Sequence, residues 1–252
     1  MNHFFTAPEN IRGNEIRLEG SCVNHIKNVL RLKPGEEISV SDGVSDKEYR
    51  CGIERFEEDA VVCSLRFIKE AGCELPVRIS LFQGLPKGDK MELIVQKAVE
   101  LGAAEIIPVA TARSVVKLDE KKAAKKTEHW QGIADSAAEQ SRRSIVPRVG
   151  KPISMKEAAG YASEMELAII PYELAEGLEG LRDFMKQLKA LPEGARAAVF
   201  IGPEGGFAEE EIALAEAAGI RPVSLGRRIL RTETAGMAVL AMMMYEVECK
   251  ES

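Results

Sequence analysis

Gly202, Gly205 and Gly206, set in the segment 200–207 (Phe-Ile-Gly-Pro-Glu-Gly-Gly-Phe), are the residues whose type and spacing point most directly to chemistry. Lacking side chains and free to adopt positive φ, they let backbone amides and carbonyls approach a ligand closely, which suits edge-on reading of an adenine ring or a methionyl group. Taken alone they also fit a tight turn ahead of a helix. The segment 225–235 adds what they lack. Ile229 and Leu230 offer an apolar ledge beside the charged Arg231 and Glu233, and Thr232 or Thr234 is placed to cap a final helix, leaving amide donors nearby. A third segment, 169–173, also follows an apolar run.

These segments need a frame that brings them together. From residue 77 the pattern alternates strand and helix: strands at 77–83, 106–110, 167–171, 197–202 and 222–225, with helices at 90–101, through 140, 178–188, 209–218 and 234–247. Such alternation predicts an α/β fold with a mostly parallel sheet covered by helices on both faces, and ligands bind such sheets outside the carboxyl ends of the strands. All three segments follow predicted strands. On the helix over 90–101, Met91, Ile94, Val95, Ala98 and Val99 form the buried stripe. Met242, Met243 and Met244 read as core or subunit-interface filler. Before residue 73 the pattern is different: short strands at 36–41, 49–55 and 60–68, with Pro34-Gly35 and Asp42-Gly43 at reversals, predict a small β-barrel. One helix is expected over 22–32, with Val23, Ile26, Val29 and Leu30 on its apolar face. The link 71–76 is the expected boundary, giving domains 1–73 and 74–252.

Composition sets limits. With 252 residues, 45% hydrophobic and 29% charged, the chain can bury one or two cores. No run approaches a membrane span and the N-terminus lacks a signal-peptide pattern, so a cytoplasmic location is expected. Five cysteines without a C-x-x-C pair suggest reduced, mostly buried residues rather than disulfides or a metal site. Net charge is -6, yet residues 86–151 hold 13 Lys and Arg against 9 Asp and Glu, while 152–252 hold 10 against 17. That polarity fits an acidic body with one basic face. The phosphate-binding loop G-x-x-x-x-G-K-[ST], a G-x-G-x-x-G after a strand, H-E-x-x-H and G-x-S-x-G are all absent, which removes the usual hardware of kinases, dehydrogenases and common hydrolases.

The glycine segment, followed by Leu225-Gly226-Arg227-Arg228-Ile229-Leu230-Arg231-Thr232-Glu233-Thr234-Ala235, resembles the bacterial ribosomal RNA small subunit methyltransferase E family of the SPOUT superfamily. His25-Ile26-Lys27-Asn28-Val29-Leu30-Arg31, Lys97-Ala98-Val99-Glu100-Leu101-Gly102 and Glu139-Gln140-Ser141 extend the likeness over nearly the whole chain. Two positions depart from the pattern, His3 ahead of Phe4-Phe5 and Ala208 where Ser or Thr often caps a helix. The resemblance implies an N-terminal PUA-like RNA-binding barrel, a trefoil-knotted SPOUT domain, a homodimer without metal, and transfer of the methyl of S-adenosylmethionine to N3 of a uridine in small-subunit (16S) ribosomal RNA, free or in the assembled small ribosomal subunit.

In that picture the three segments hold the cofactor, bent, through Pro171, Tyr172, Ile201, Gly202, Pro203, Glu204, Gly205, Gly206, Leu225, Gly226, Ile229, Leu230, Thr234 and Ala235. Uridine N3 must lose its proton to become a nucleophile, so a base or a cation beside the developing imidate is required. Arg231 or Arg143 is placed to supply charge, and Glu233, Glu204 or Glu139 to accept the proton. Expected RNA contacts are Arg31, Lys87, Lys90, Arg113, Lys117, Gln140, Arg142 and Arg143. A methyltransferase for another RNA position, a non-catalytic RNA-binding assembly factor and a small-molecule nucleotide enzyme are the competing readings.

Overall fold

The computed structural model describes residues 1–249, which divide into two compact units. The first comprises Met1–Glu74 and Ala138–Val146. Its strands are β1 (His3–Phe5), β2 (Ile11–Arg12), β3 (Glu15–Glu19), β4 (Glu37–Ser41), β5 (Lys47–Phe56) and β6 (Ala60–Glu70), in the sheet order β1-β4-β5-β6-β3-β2. All neighbours are antiparallel except β1 and β4. The β4–β5 reversal is made by Asp42, whose carboxylate accepts from the amides of Val44 (2.9 Å) and Ser45 (2.7 Å). Phe4, Ile16, Leu18, Ile26, Ile38 and Val61 lie at the centre of its core.

The expected helix over 22–32 differs in form. Helix α1 (Ser21–Asn24) runs directly into a π turn at His25–Val29. The wider turn breaks the 3.6-residue register, so Val23 and Ile26 stay buried while Val29 points outward, 64% exposed. Cys51 and Cys63 are buried and burial pushes both thiols up to about 12, keeping them protonated. Cys73 and Cys249 are exposed, so burial applies to fewer cysteines than expected.

Glu74 ties the returning segment 138–146 into this unit. Its carboxylate accepts from Arg143 Nη2 (2.5 Å) and Nε (3.3 Å) and from the amides of Ser144 and Ile145 (both 3.2 Å). The Ser144 hydroxyl donates to Asp46 (2.5 Å), and the Val146 amide to the Gly43 carbonyl (3.0 Å).

The second unit comprises Leu75–Ala137 and Pro147–Ser252, described to residue 249. Its sheet contains β7 (Arg78–Gly84), β8 (Glu105–Ala110), β9 (Arg148–Val149), β10 (Ile153–Ser154), β11 (Leu167–Pro171), β12 (Arg196–Ile201) and β13 (Arg221–Val223). The order is β10-β8-β7-β12-β11-β13, with β9 also on β8, and every pairing is parallel. The near-continuous apolar runs of β7, β11 and β12 are what burial on both faces demands. Helices α2 (Lys90–Glu100), α3 (Glu120–Ser141, whose residues from Ala138 on belong to the first unit), α4 (Met155–Ala162), α5 (Glu179–Lys189), α6 (Glu209–Ala217) and α7 (Thr232–Glu248) complete the alternation. On α2 the buried residues are the five expected from spacing. Helix α4, not anticipated, carries a legible start signal: the Ser154 hydroxyl accepts from the Glu157 amide (3.3 Å) and the Glu157 carboxylate accepts from the Ser154 amide (2.8 Å). Phe82 and Phe200 stack at 4.4 Å in the core between β7 and β12.

Candidate active site

Sheet order explains the site. β12, β11 and β13 are successive neighbours and parallel, so their carboxyl ends lie side by side and the segments leaving them converge. They enclose a cleft of about 480 Å³, within the roughly 300–1,000 Å³ usual for small-ligand sites. Of the expected cofactor contacts, Pro171, Tyr172, Ile201, Gly202, Pro203, Glu204, Gly206, Leu225, Gly226, Ile229, Leu230 and Ala235 line it. Gly205 and Thr234 do not. The carbonyl of Gly205 instead accepts from Arg113 (3.0 Å), and Thr234 is exposed on the first turn of α7. Glu173, Phe207, Ser224, Arg227, Arg228 and Thr232 also line the cleft. All but Ser224 fall inside the segments picked out in the sequence, whereas Ser224 belongs to the short exit from β13 and carries no signal of its own.

Each wall is held by local bonds. The Tyr172 amide donates to the Val223 carbonyl (2.9 Å), coupling the exits of β11 and β13. Gly206 adopts φ +66°, a conformation that favours glycine, and its amide closes a turn onto the Pro203 carbonyl (2.9 Å). Ala208 has no side-chain cap to give, but the buried Glu211 compensates, accepting from the amides of Ala208 (2.9 Å) and Ala112 (2.8 Å). The expectation that Thr232 or Thr234 caps α7 is not met. The N-cap position is Arg231, and the Thr232 hydroxyl is turned to the Gly202 carbonyl at 2.6 Å.

The glycine segment also packs on the end of β7. A Cβ placed on Gly84 would lie 2.5 Å from Pro203 Cδ and 2.8 Å from its backbone nitrogen. Gly84→Ala is therefore expected to push the glycine segment out of place and cost about 1–3 kcal/mol of stability, together with a loss of ligand affinity that calorimetry on the folded fraction measures. Unchanged affinity would show that the segment tolerates displacement.

Charge gathers at one side of the cleft. Glu204 accepts from Lys90 Nζ (2.7 Å) and from the Lys87 amide (3.2 Å). Burial works to raise its carboxyl, but the Lys90 hydrogen bond and the amides prevail and hold it below the usual range. The bond to Glu204 in turn raises Lys90. A lowered acid and a raised base keep this pair ionised across neutral pH, its contribution lost only as pH falls through the acid's lowered value or rises through the lysine's raised one. Glu233, though not a lining residue, has its Oε2 buried without a hydrogen bond, 3.7 Å from Lys90 Nζ. Arg231 lines the cleft and is exposed, as is Ile229 at 88%.

The expected RNA contacts separate into two kinds. Lys87, Arg113 and Lys117 in the second unit and Arg31, Gln140 and Arg142 in the first are exposed, while Lys90 is half-buried in its ion pair. Arg31 and Arg142 have φ of +54° and +60°, positions where few non-glycine residues are found. Arg143 differs from these: it is only 4% exposed, its guanidinium is engaged by Glu74, and it is not among the residues that line the cleft. His3 bonds Ser39 through Nδ1 (2.8 Å) and burial lowers its pKa, so it serves the interior of the first unit. Among the described residues no cluster of His, Cys, Asp and Glu is suited to a metal, and no helix is long and apolar enough to cross a membrane.

A parallel α/β unit with its cleft at the strand carboxyl ends, joined to a small β unit, is the class that comparison recovers: residues 73–244 match the family described as RNA methyltransferase domain, and residues 18–65 match the RNA methyltransferase PUA domain. The ribosomal RNA small subunit methyltransferase E of Bacillus subtilis is 40% identical over 234 residues, covering 92% of this chain and 90% of the relative. Its counterpart from Aquifex aeolicus is 32% identical, covering 96% and 99%. The crystal structure of the Neisseria gonorrhoeae ribosomal RNA small subunit methyltransferase E bound to S-adenosyl methionine superposes with a TM-score of 0.82 at 36% identity, covering 97% of each chain. The chain belongs to the ribosomal RNA small subunit methyltransferase E family.

Proposed function

We propose that this protein transfers the methyl group of S-adenosylmethionine to N3 of a uridine in small-subunit (16S) ribosomal RNA. The observation that carries the reading is the convergence of three segments on one cleft, in a chain whose family membership spans 92% of its length. The cleft residues fit the cofactor. Ile201, Leu225 and Leu230 offer apolar surface, and the glycine backbone offers amides and carbonyls at close approach. When bound, the cofactor supplies an electrophilic methyl on a sulfonium sulfur.

The protein's own work is to hold the uridine in line with that methyl and to take the N3 proton. Arg231 stabilises the developing imidate. Glu233 accepts the proton, because Glu204 is already occupied by Lys90 and the Lys87 amide, whereas one Glu233 oxygen accepts no hydrogen bond. Arg31, Lys87, Arg113, Lys117, Gln140 and Arg142 contact RNA. Residues 1–73 act as a PUA-like barrel and 74–252 as a trefoil-knotted SPOUT domain, working as a cytoplasmic homodimer on free ribosomal RNA or the assembled small subunit. Exposed Met242 and Tyr245, three residues apart on α7, give the dimer an apolar face, while Met243 is core.

The test is incubation of the purified protein and labelled S-adenosylmethionine with small ribosomal subunits from a strain lacking the gene, followed by mapping of the labelled nucleoside. A single N3-methyluridine is expected. Label at another nucleoside would keep the reaction and change the target, and no label in RNA despite cofactor binding would favour an assembly factor.

A further inference from the structure

Gln83 lies at the carboxyl end of β7, between β8 and β12, and is fully buried. A primary amide removed from water is costly unless bonded. Its Nε2 donates to the Gly84 carbonyl (3.0 Å) and to Thr232 Oγ1 (2.9 Å). Thr232, in turn, donates to the Gly202 carbonyl (2.6 Å). A hydroxyl has one proton, so by accepting from the amide Thr232 is left to donate in one direction only, toward Gly202. Among the described residues no donor reaches Gln83 Oε1, so the amide is held through its NH₂ end. Gly202 and Thr232 line the cleft, and Gln83 stands behind them.

We infer that Gln83 is a positioning residue for the cofactor cleft. Through Thr232 it sets the direction of the Gly202 carbonyl, and so the spacing between the glycine segment and the start of α7, before any ligand arrives. The inference rests on reading this cleft as the S-adenosylmethionine site. A wall fixed in advance spares the ligand the cost of ordering it, so the effect belongs to cofactor affinity rather than RNA binding.

Gln83→Glu keeps the shape and makes the direction of the relay depend on pH. An ionised carboxylate donates nothing and draws the Thr232 proton away from Gly202, whereas a protonated carboxyl still donates to Thr232. Burial raises the pKa of the introduced group, so by calorimetry with S-adenosylmethionine the variant should match wild type near about pH 6 and bind roughly tenfold more weakly than wild type near about pH 9. Thr232→Val should lose roughly tenfold at both pH values, and Thr232→Ser should restore binding. Thermal melting of each variant keeps folding separate, and should Gln83→Glu fail to fold, the Thr232 pair decides alone. Wild-type affinity in the Gln83→Glu and Thr232→Val variants would overturn the inference while the cofactor reading stands. Absence of S-adenosylmethionine binding by the wild-type chain would overturn that reading and the inference with it.

Discussion

Replacing Glu233 by Gln is expected to lower the rate of methyl transfer by about 100- to 10,000-fold, the usual worth of a general base, with S-adenosylmethionine affinity left within a few-fold. The side chain is 15% exposed, its Oε2 is buried without a hydrogen bond, and Lys90 Nζ lies 3.7 Å away. An amide of the same shape preserves packing but cannot accept the proton. Glu204→Gln is the comparison. Its carboxylate already accepts from Lys90 and the Lys87 amide, so this variant should loosen the cleft wall and weaken ligand binding more than it slows chemistry. Arg231→Ala should remove charge stabilisation worth about 100- to 1,000-fold in rate. Wild-type turnover by Glu233→Gln, measured under single-turnover conditions, would pass the proton to another acceptor.

The second large effect concerns stability. Arg143→Ala leaves the Glu74 carboxylate, 15% exposed, without its cation, and should destabilise the first unit by about 3–5 kcal/mol. The readout is the urea midpoint. Arg143→Lys should recover little, because an ammonium cannot reproduce the Nε and Nη2 contacts together. Activity per folded molecule should stay near wild type in both variants. A loss of activity without a shift in the midpoint would return Arg143 to the chemistry.

Most of the second unit was legible because its signals are local. Strand β11 has the bounds expected, and the apolar stripe of α2 follows directly from helix spacing. The strands missed in this unit, β9 and β10, are two residues long, too short for any period to register, whereas helix α4 was missed although its capping box at Ser154 and Glu157 is written in the sequence. In the first unit β1 and β2 are also short, β3 was missed although Ile16 and Leu18 alternate with polar neighbours, and the π turn at His25–Val29 defeats a reading that assumes a constant turn. The segment 138–146 shows no change in composition where it joins the first unit, because the bonds that hold it there come from Glu74 and Asp46, some 70 and 98 positions away for Ser144.

Residue identity determined the glycine segment, the apolar ledge at 229 and 230, and the charges beside it, since these depend on side-chain type and near neighbours. Sequence alone also carried the family pattern, which is a matter of order and spacing. Tertiary structure decided which of those residues act together. Sheet order brings the exits of β11, β12 and β13 to one cleft, burial pairs Arg143 with Glu74, and the Thr232 hydroxyl, placed to cap a helix by its position in the chain, is claimed by Gly202 and Gln83 instead. Burial and hydrogen bonds between distant segments are set by the packing of the whole chain, and a buried donor takes the acceptor that packing puts within reach.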